Sequence, residues 1–438
     1  MSHTRMKVTI LAAIAASASL LLVACGGGGT PDLGAGGGSG EGTAVWAVQS
    51  AQSDSYLAAA DRWNTAHPDR PIDMQVMPDK GYLDKLRVAL GAGEGPTLMF
   101  SWGGGGLKSY VDKGYVDPLT EHRELVDRYL PAALDKAVFD SEVYGVPINN
   151  MQPAVVLYNK DVFASAGVEV PTTWAELQNV VAQLDDAGVA PFALAGQSKW
   201  PQLPYLAYLV DRIGGPEVFE TIIANRPDAW SDPAVLEAVT MIQDLVESGG
   251  FAQDFSSTAY ETGAADALLY TGKAGMILML SQAYSNIGQA APDFVETDSL
   301  GFFPFPVVEG GTGDPRNLVG NPSNYWSVIS GSSDVDKATA LDFLTEEVMN
   351  DRYVDEILDR SAVPGVTSVE AELADRDEPF SSFLFDLVRE APQFQLSWNQ
   401  ALSPAQGDEL STQLDRVFLL EITPQEFADA MNATLAAS

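Results

Sequence analysis

The chain has 438 residues and a formal net charge of −36, from 60 Asp plus Glu against 24 Lys plus Arg. Phosphate backbones need clustered Lys and Arg, which are lacking, so nucleic acid is excluded as a partner, and the same field opposes anionic ligands while leaving neutral ones unaffected. The plain alternative reading of the acidity is a solvated, soluble surface, and a hydrophobic fraction of 46% supplies cores for two or three domains.

The N-terminus carries His3, Arg5 and Lys7 ahead of an apolar run from Val8 to Val23, the charged and hydrophobic regions of an export signal. Leu22-Val23-Ala24-Cys25 resembles the lipobox of bacterial lipoproteins, so residues 1–25 are expected to be a signal peptide, with Cys25 the lipid anchor on the outer face of the cell membrane. An uncleaved transmembrane anchor is the alternative, the run being slightly shorter than the ~20 residues that span a bilayer. Cys25 is the only cysteine, which leaves no internal disulfide and no thiolate metal cluster. Residues 26–42 are mostly glycine and read as a flexible tether.

Thr43 to Val48 is a short β-rich run, followed by the polar loop Gln49 to Ser53. Tyr56, Ala60 and Trp63 at helical spacing predict a helix over 54–67, stopped by Pro68. Alternation over 72–76 predicts a strand, Leu83, Leu86 and Leu90 a helix face, and Leu98-Met99-Phe100 a buried parallel strand. This order gives an α/β layout, in which ligands collect beyond the C-terminal strand ends, here Gln49 to Ser53 and Ser101-Trp102. A second α/β stretch follows Gly145, with a strand through Ala154 to Tyr158 preceded by the polar Asn149 to Gln152 and a Thr173-capped helix over 174–184. Met276 to Leu280 is another buried strand, and further helices are predicted over 233–248, 337–349 and 381–388. The run GFFPFPVV over 301–308 reads as an extended crossing, since proline does not belong in a central strand.

Several segments together resemble the extracellular sugar-binding proteins of ABC importers, a carbohydrate-binding branch of the family 1 solute-binding proteins. They are Ser101-Trp102 with Gly103 to Gly105, Tyr144 to Pro147, Leu157 to Phe163, Pro171 to Leu177, Gly272 to Met276, Trp398-Asn399-Gln400 and Thr423 to Glu426. The resemblance implies an α/β, two-lobed periplasmic-binding-protein-like fold of the class II type, with a cleft that closes on a sugar. It also implies an ABC permease as partner, a cytoplasmic ATPase behind it, and no cofactor; a monomer is expected. The crossings between lobes are expected near 149–154, 302–306 and 360–364, which makes 43–149 plus 305–355 one lobe and 150–304 plus 356–438 the other. One departure stands out: where the family often has Gly-Ser-Trp after the Gly-Lys-Ala-Gly-Met strand, this chain has Leu280-Ser281-Gln282. Gln282 or Tyr284 is left to serve that subsite.

A sugar presents apolar ring faces and a rim of hydroxyls that both donate and accept, so its site needs aromatic platforms beside Asn, Gln, Asp or Glu. Trp102, ahead of a run of four glycines that would permit close approach, is the leading platform, with plain core packing as the alternative. Trp200, Trp326 and Trp398 are further candidates, each with ordinary core packing as the alternative. Polar candidates are Gln49, Gln52, Asn149, Asn150, Gln152, Gln282, Asn324 and Asn399; for Asn149 to Gln152 the alternative is turn chemistry. Trp46, Trp63, Trp174 and Trp230 read as core. A secreted glycoside hydrolase would need a specific carboxylate pair, which 60 acidic residues cannot single out. No nucleophile elbow, phosphate loop or metal constellation occurs, and the third reading is a lipoprotein that binds carbohydrate without transport.

Overall fold

A computed structural model describes residues 42–49, 52–78 and 81–435. Cys25, the signal peptide and nearly all of the tether lie outside them. Among the described residues no helix is long and apolar enough to cross a membrane.

Two mixed sheets organise the chain. The first has the strand order Ile72–Met77, Thr43–Val48, Leu98–Ser101, Tyr325–Val328, Val146–Pro147. Its first three strands are parallel, as the strand–helix–strand pattern predicts. Tyr325–Val328 then runs antiparallel beside Leu98–Ser101. The helix Ser53–Ala66 buries Tyr56, Ala59, Ala60 and Trp63, close to the periodicity read from the sequence.

The second sheet has the order Phe394–Leu396, Leu318–Asn321, Asn150–Asn159, Ala274–Leu280, Ala190–Phe192. Its central strand, Asn150–Asn159, carries apolar residues on both faces. Val155 and Leu157 join one core, Ala154 and Val156 the other, where they meet the helices Trp174–Asp186, Leu203–Gly214 and Pro233–Glu247. That explains why its apolar stretch reads as a continuous run and not as an alternating one. Thr173 caps the helix Trp174–Asp186 in a reciprocal box with Glu176, whose carboxylate is held below the usual range by hydrogen bonds from Thr172 and Thr173.

The chain passes from the first sheet to the second between Pro147 and Asn150, and the segment after the helix Asp351–Leu358 joins the second sheet at Val363, which pairs with Met151. A further passage lies between these two in the sequence. Leu300–Phe303 is a strand antiparallel to Asn150–Asn159, and Phe305 beyond it stacks on Tyr208 with ring centroids 4.7 Å apart, so the proline run stays with the second sheet. Leu318–Asn321 also pairs there, and the chain changes sheets only over Pro322-Ser323-Asn324. The prolines end an edge strand instead of marking a passage between sheets.

Candidate functional site

At the sheet-to-sheet passages the chain places a belt of amides. Asn149 and Asn150 sit on the first passage at 1% exposure each, and Gln52 stands at the start of the helix Ser53–Ala66. Gln52 Nε2 donates to Asn150 Oδ1 at 2.9 Å, which also receives Gln152 Nε2 at 3.4 Å. The Tyr56 hydroxyl donates to Asn149 Oδ1, and the Ser323 hydroxyl donates to the Asn149 carbonyl at 3.1 Å. Asn321 Nδ2 donates to Asn324 Oδ1 at 3.0 Å. The belt thus ties elements of both sheets through neutral groups.

Its hydrogen-bonding capacity is not filled. Asn149 Nδ2, Ser101 Oγ, Asn321 Oδ1 and Gln282 Oε1 are buried atoms without a protein partner. Buried polar atoms are normally paired, and donors and acceptors left over together suit a ligand that offers both.

The aromatic candidates divide. Trp102 is partly buried, edge-on to Phe100 at 5.1 Å and to Tyr82 at 6.2 Å. The glycines directly after it are packed on by protein: a Cβ on Gly104 would stand 2.5 Å from Leu396 Cδ2, and one on Gly105 would stand 2.7 Å from the Ala401 carbonyl, whereas Gly106 has nothing within 4 Å. They let the helix Gly104–Val111 seat against Trp398–Ala401. Trp200 is partly buried and meets Tyr260 edge-on at 4.7 Å. Two candidates pack in the cores of this structure. Trp326 is 0% exposed in the middle of the first sheet, 5.1 Å from Tyr56 and 6.0 Å from Phe343. Trp398 is 1% exposed, stacked on Phe219 at 5.0 Å, with its indole N–H donated to Gln395. Trp46, Trp63, Trp174 and Trp230 are buried, as read from the sequence.

The remaining polar candidates scatter. Gln49 is exposed at the end of its strand, while Asn324 is 7% exposed beside the third passage. Asn399 is partly buried, with its Oδ1 unpartnered against the helix seat. Tyr284 gives one ring face to Phe380 at 3.9 Å and 9° and so packs two helices together. Gln282, by contrast, donates Nε2 to the Tyr260 hydroxyl at 3.2 Å.

Tyr260 is the residue that sequence reasoning missed, and with it Asn286 and Asp266. Asn286 Nδ2 also donates to the Tyr260 oxygen at 3.2 Å. Burial chiefly pushes the Tyr260 phenol up, with the Asp266 charge adding to it and the amide donors opposing it. Asp266 opens the helix Ala264–Tyr270, is 5% exposed, and has Oδ1 without a partner. Burial alone pushes its carboxyl up to about 6. An acid raised in this way is neutral in both folded and unfolded states below about pH 4, so it then has no cost. Its burden on the fold develops as pH rises from about 4 through about 6.

The fold and the belt define a two-lobed α/β protein of the ligand-binding kind. A family model, bacterial extracellular solute-binding protein, matches residues 47–348, and the chain belongs to that family. An uncharacterized ABC transporter extracellular-binding protein of Pyrococcus horikoshii is 24% identical over 241 residues, 53% of this chain and 54% of that one. The multiple sugar-binding protein of Streptococcus mutans is 26% identical over 263 residues, 56% of this chain and 58% of its own. The chain spans about half the length of the curated relatives it matches. The solved structure of a chitin oligosaccharide binding protein has the same fold, with a TM-score of 0.79 at 23% identity over 91% of this chain and 99% of that one.

Proposed function

We propose that this protein is the substrate-binding component of an ABC importer and that it captures a neutral sugar, a small oligosaccharide, between its two lobes for delivery to a membrane permease driven by a cytoplasmic ATPase. The observation that carries the reading is the belt of neutral amides with unfilled donors and acceptors, with the partly buried Trp102 and Trp200 as candidate ring platforms. Family membership and the sugar-binding relative in Streptococcus mutans support it. The test is thermal and calorimetric titration with mono-, di- and trisaccharides of glucose, xylose and N-acetylglucosamine. A member present at 100 times its dissociation constant adds about 2.7 kcal/mol to stability. If none shifts unfolding, or if reducing ends are released on incubation, the binding reading fails, and in the second case a glycoside hydrolase replaces it.

The protein is further proposed to act as a monomer on the outer face of the membrane, held by lipid on Cys25. Support comes from the apolar run that ends in small residues before the only cysteine. Cys25→Ser is expected to leave the precursor unprocessed or to release the protein from membranes. A variant that is still processed and membrane-bound would show that the anchor lies elsewhere.

A further inference from the structure

Asp266 is a buried carboxylate for which the described residues supply no hydrogen bond. Its Oδ1 has no partner, it is 5% exposed, and no salt bridge reaches it. Such a group is normally paired or coordinated, because burial without a donor is unfavourable. Its helix, Ala264–Tyr270, packs against both the strand Ala274–Leu280 and the helix Gln282–Ala290. The acid is close enough to the Tyr260 phenol for its charge to be felt there.

The surroundings are complementary to it. The Tyr260 oxygen accepts from Gln282 and Asn286 at 3.2 Å each, and neither bond uses its own proton. Gln282 Oε1 is a further buried acceptor without a partner. The Trp200 indole closes the side of Tyr260. One free donor and one free acceptor thus meet at Tyr260 beside an aromatic wall, and the helix that carries the second free acceptor, on Asp266, packs against both the turn Tyr260–Thr262 and the helix Gln282–Ala290.

We propose that Asp266 and Tyr260 clasp one hydroxyl of the bound saccharide, which donates to the carboxylate and accepts the phenol proton beside Trp200. This rests on the sugar reading above and names the pair that sets its specificity. A ligand lacking that hydroxyl leaves both groups unpaired and is rejected. Gln282 Oε1 accepts from a neighbouring hydroxyl.

The test uses Asp266→Asn, Tyr260→Phe and the double variant, with denaturant unfolding of the sugar-free protein at pH 8 and titration with whichever saccharide of the panel binds the parent. Asp266→Asn is expected to unfold at higher denaturant than the parent without sugar, because it removes an unpartnered buried charge. It should also bind the saccharide roughly 10- to 100-fold more weakly, the range for a hydrogen bond to a charged group. Tyr260→Phe should weaken binding as well, and the double variant no more than the worse single one, since both serve one hydroxyl. Lower sugar-free stability in Asp266→Asn would make the acid structural, and unchanged affinity would remove it from the site; either overturns the proposal. A parent that binds no saccharide overturns the sugar reading itself and the clasp with it, whereas the sugar-free unfolding distinguishes an idle buried charge from a structural one in every case.

Discussion

Trp398→Ala is expected to lower the stability of the fold by about 3–5 kcal/mol, the range for emptying a buried tryptophan site, while the folded fraction binds sugar as before. The indole is 1% exposed, lies face to face with Phe219 and edge to face with Trp230, and donates its N–H to Gln395. Nothing of it is left for a ligand. Trp102, partly buried at the end of its strand, is the fitting comparison. Its removal should act mainly on binding, by roughly 1–3 kcal/mol, as aromatic stacking contacts do. Urea unfolding and calorimetric titration of the two variants side by side check this. Lost affinity in Trp398→Ala at unchanged stability would return that residue to the site.

Arg212→Met should be of similar size, about 3–5 kcal/mol, because it strips the partner from a buried charge. Arg212 is 2% exposed and donates to Asp211 at 2.6 Å and to the carbonyls of Pro315 and Asn317 at 2.9 and 3.0 Å. Asp211 is completed by Asn317 at 3.1 Å and Gln395 at 2.8 Å, yet burial still raises its carboxyl. Without the guanidinium that carboxylate is stranded. Adding Asp211→Asn to Arg212→Met should restore part of the loss, and a single variant as stable as the parent would mean that the network contributes nothing.

The elements legible in the sequence were those whose pattern is local. Thr43–Val48, Leu98–Ser101 and Ala274–Leu280 are apolar runs bounded by turn residues, and the Thr173 cap announces its helix. The passages between sheets were harder to place. Pro304 and Pro306 look like a crossing, but the actual one, Pro322-Ser323-Asn324, resembles an ordinary turn, because what separates them is pairing with distant strands. The glycines after Trp102 illustrate the same limit. Glycine permits close approach, but the sequence does not say whether a ligand or a helix approaches. The burial of Trp326 and Trp398 was not legible either, because an aromatic beside an amide looks alike in a cleft and in a core. Tyr260 and Asp266 carry no motif: one sits in a short turn and the other at a helix start, and only folding brings Gln282 to Tyr260.

The position of Tyr325–Val328 has a consequence for how the chain matures. It sits inside the first sheet, between Leu98–Ser101 and Val146–Pro147, although most of the second sheet is encoded before it. The N-terminal lobe therefore cannot finish its sheet until a late segment has emerged, and such distant pairing slows folding because a long loop must close first. Until then Leu98–Ser101 keeps one open edge, and the lobe locks only after the segment that completes it has been synthesised.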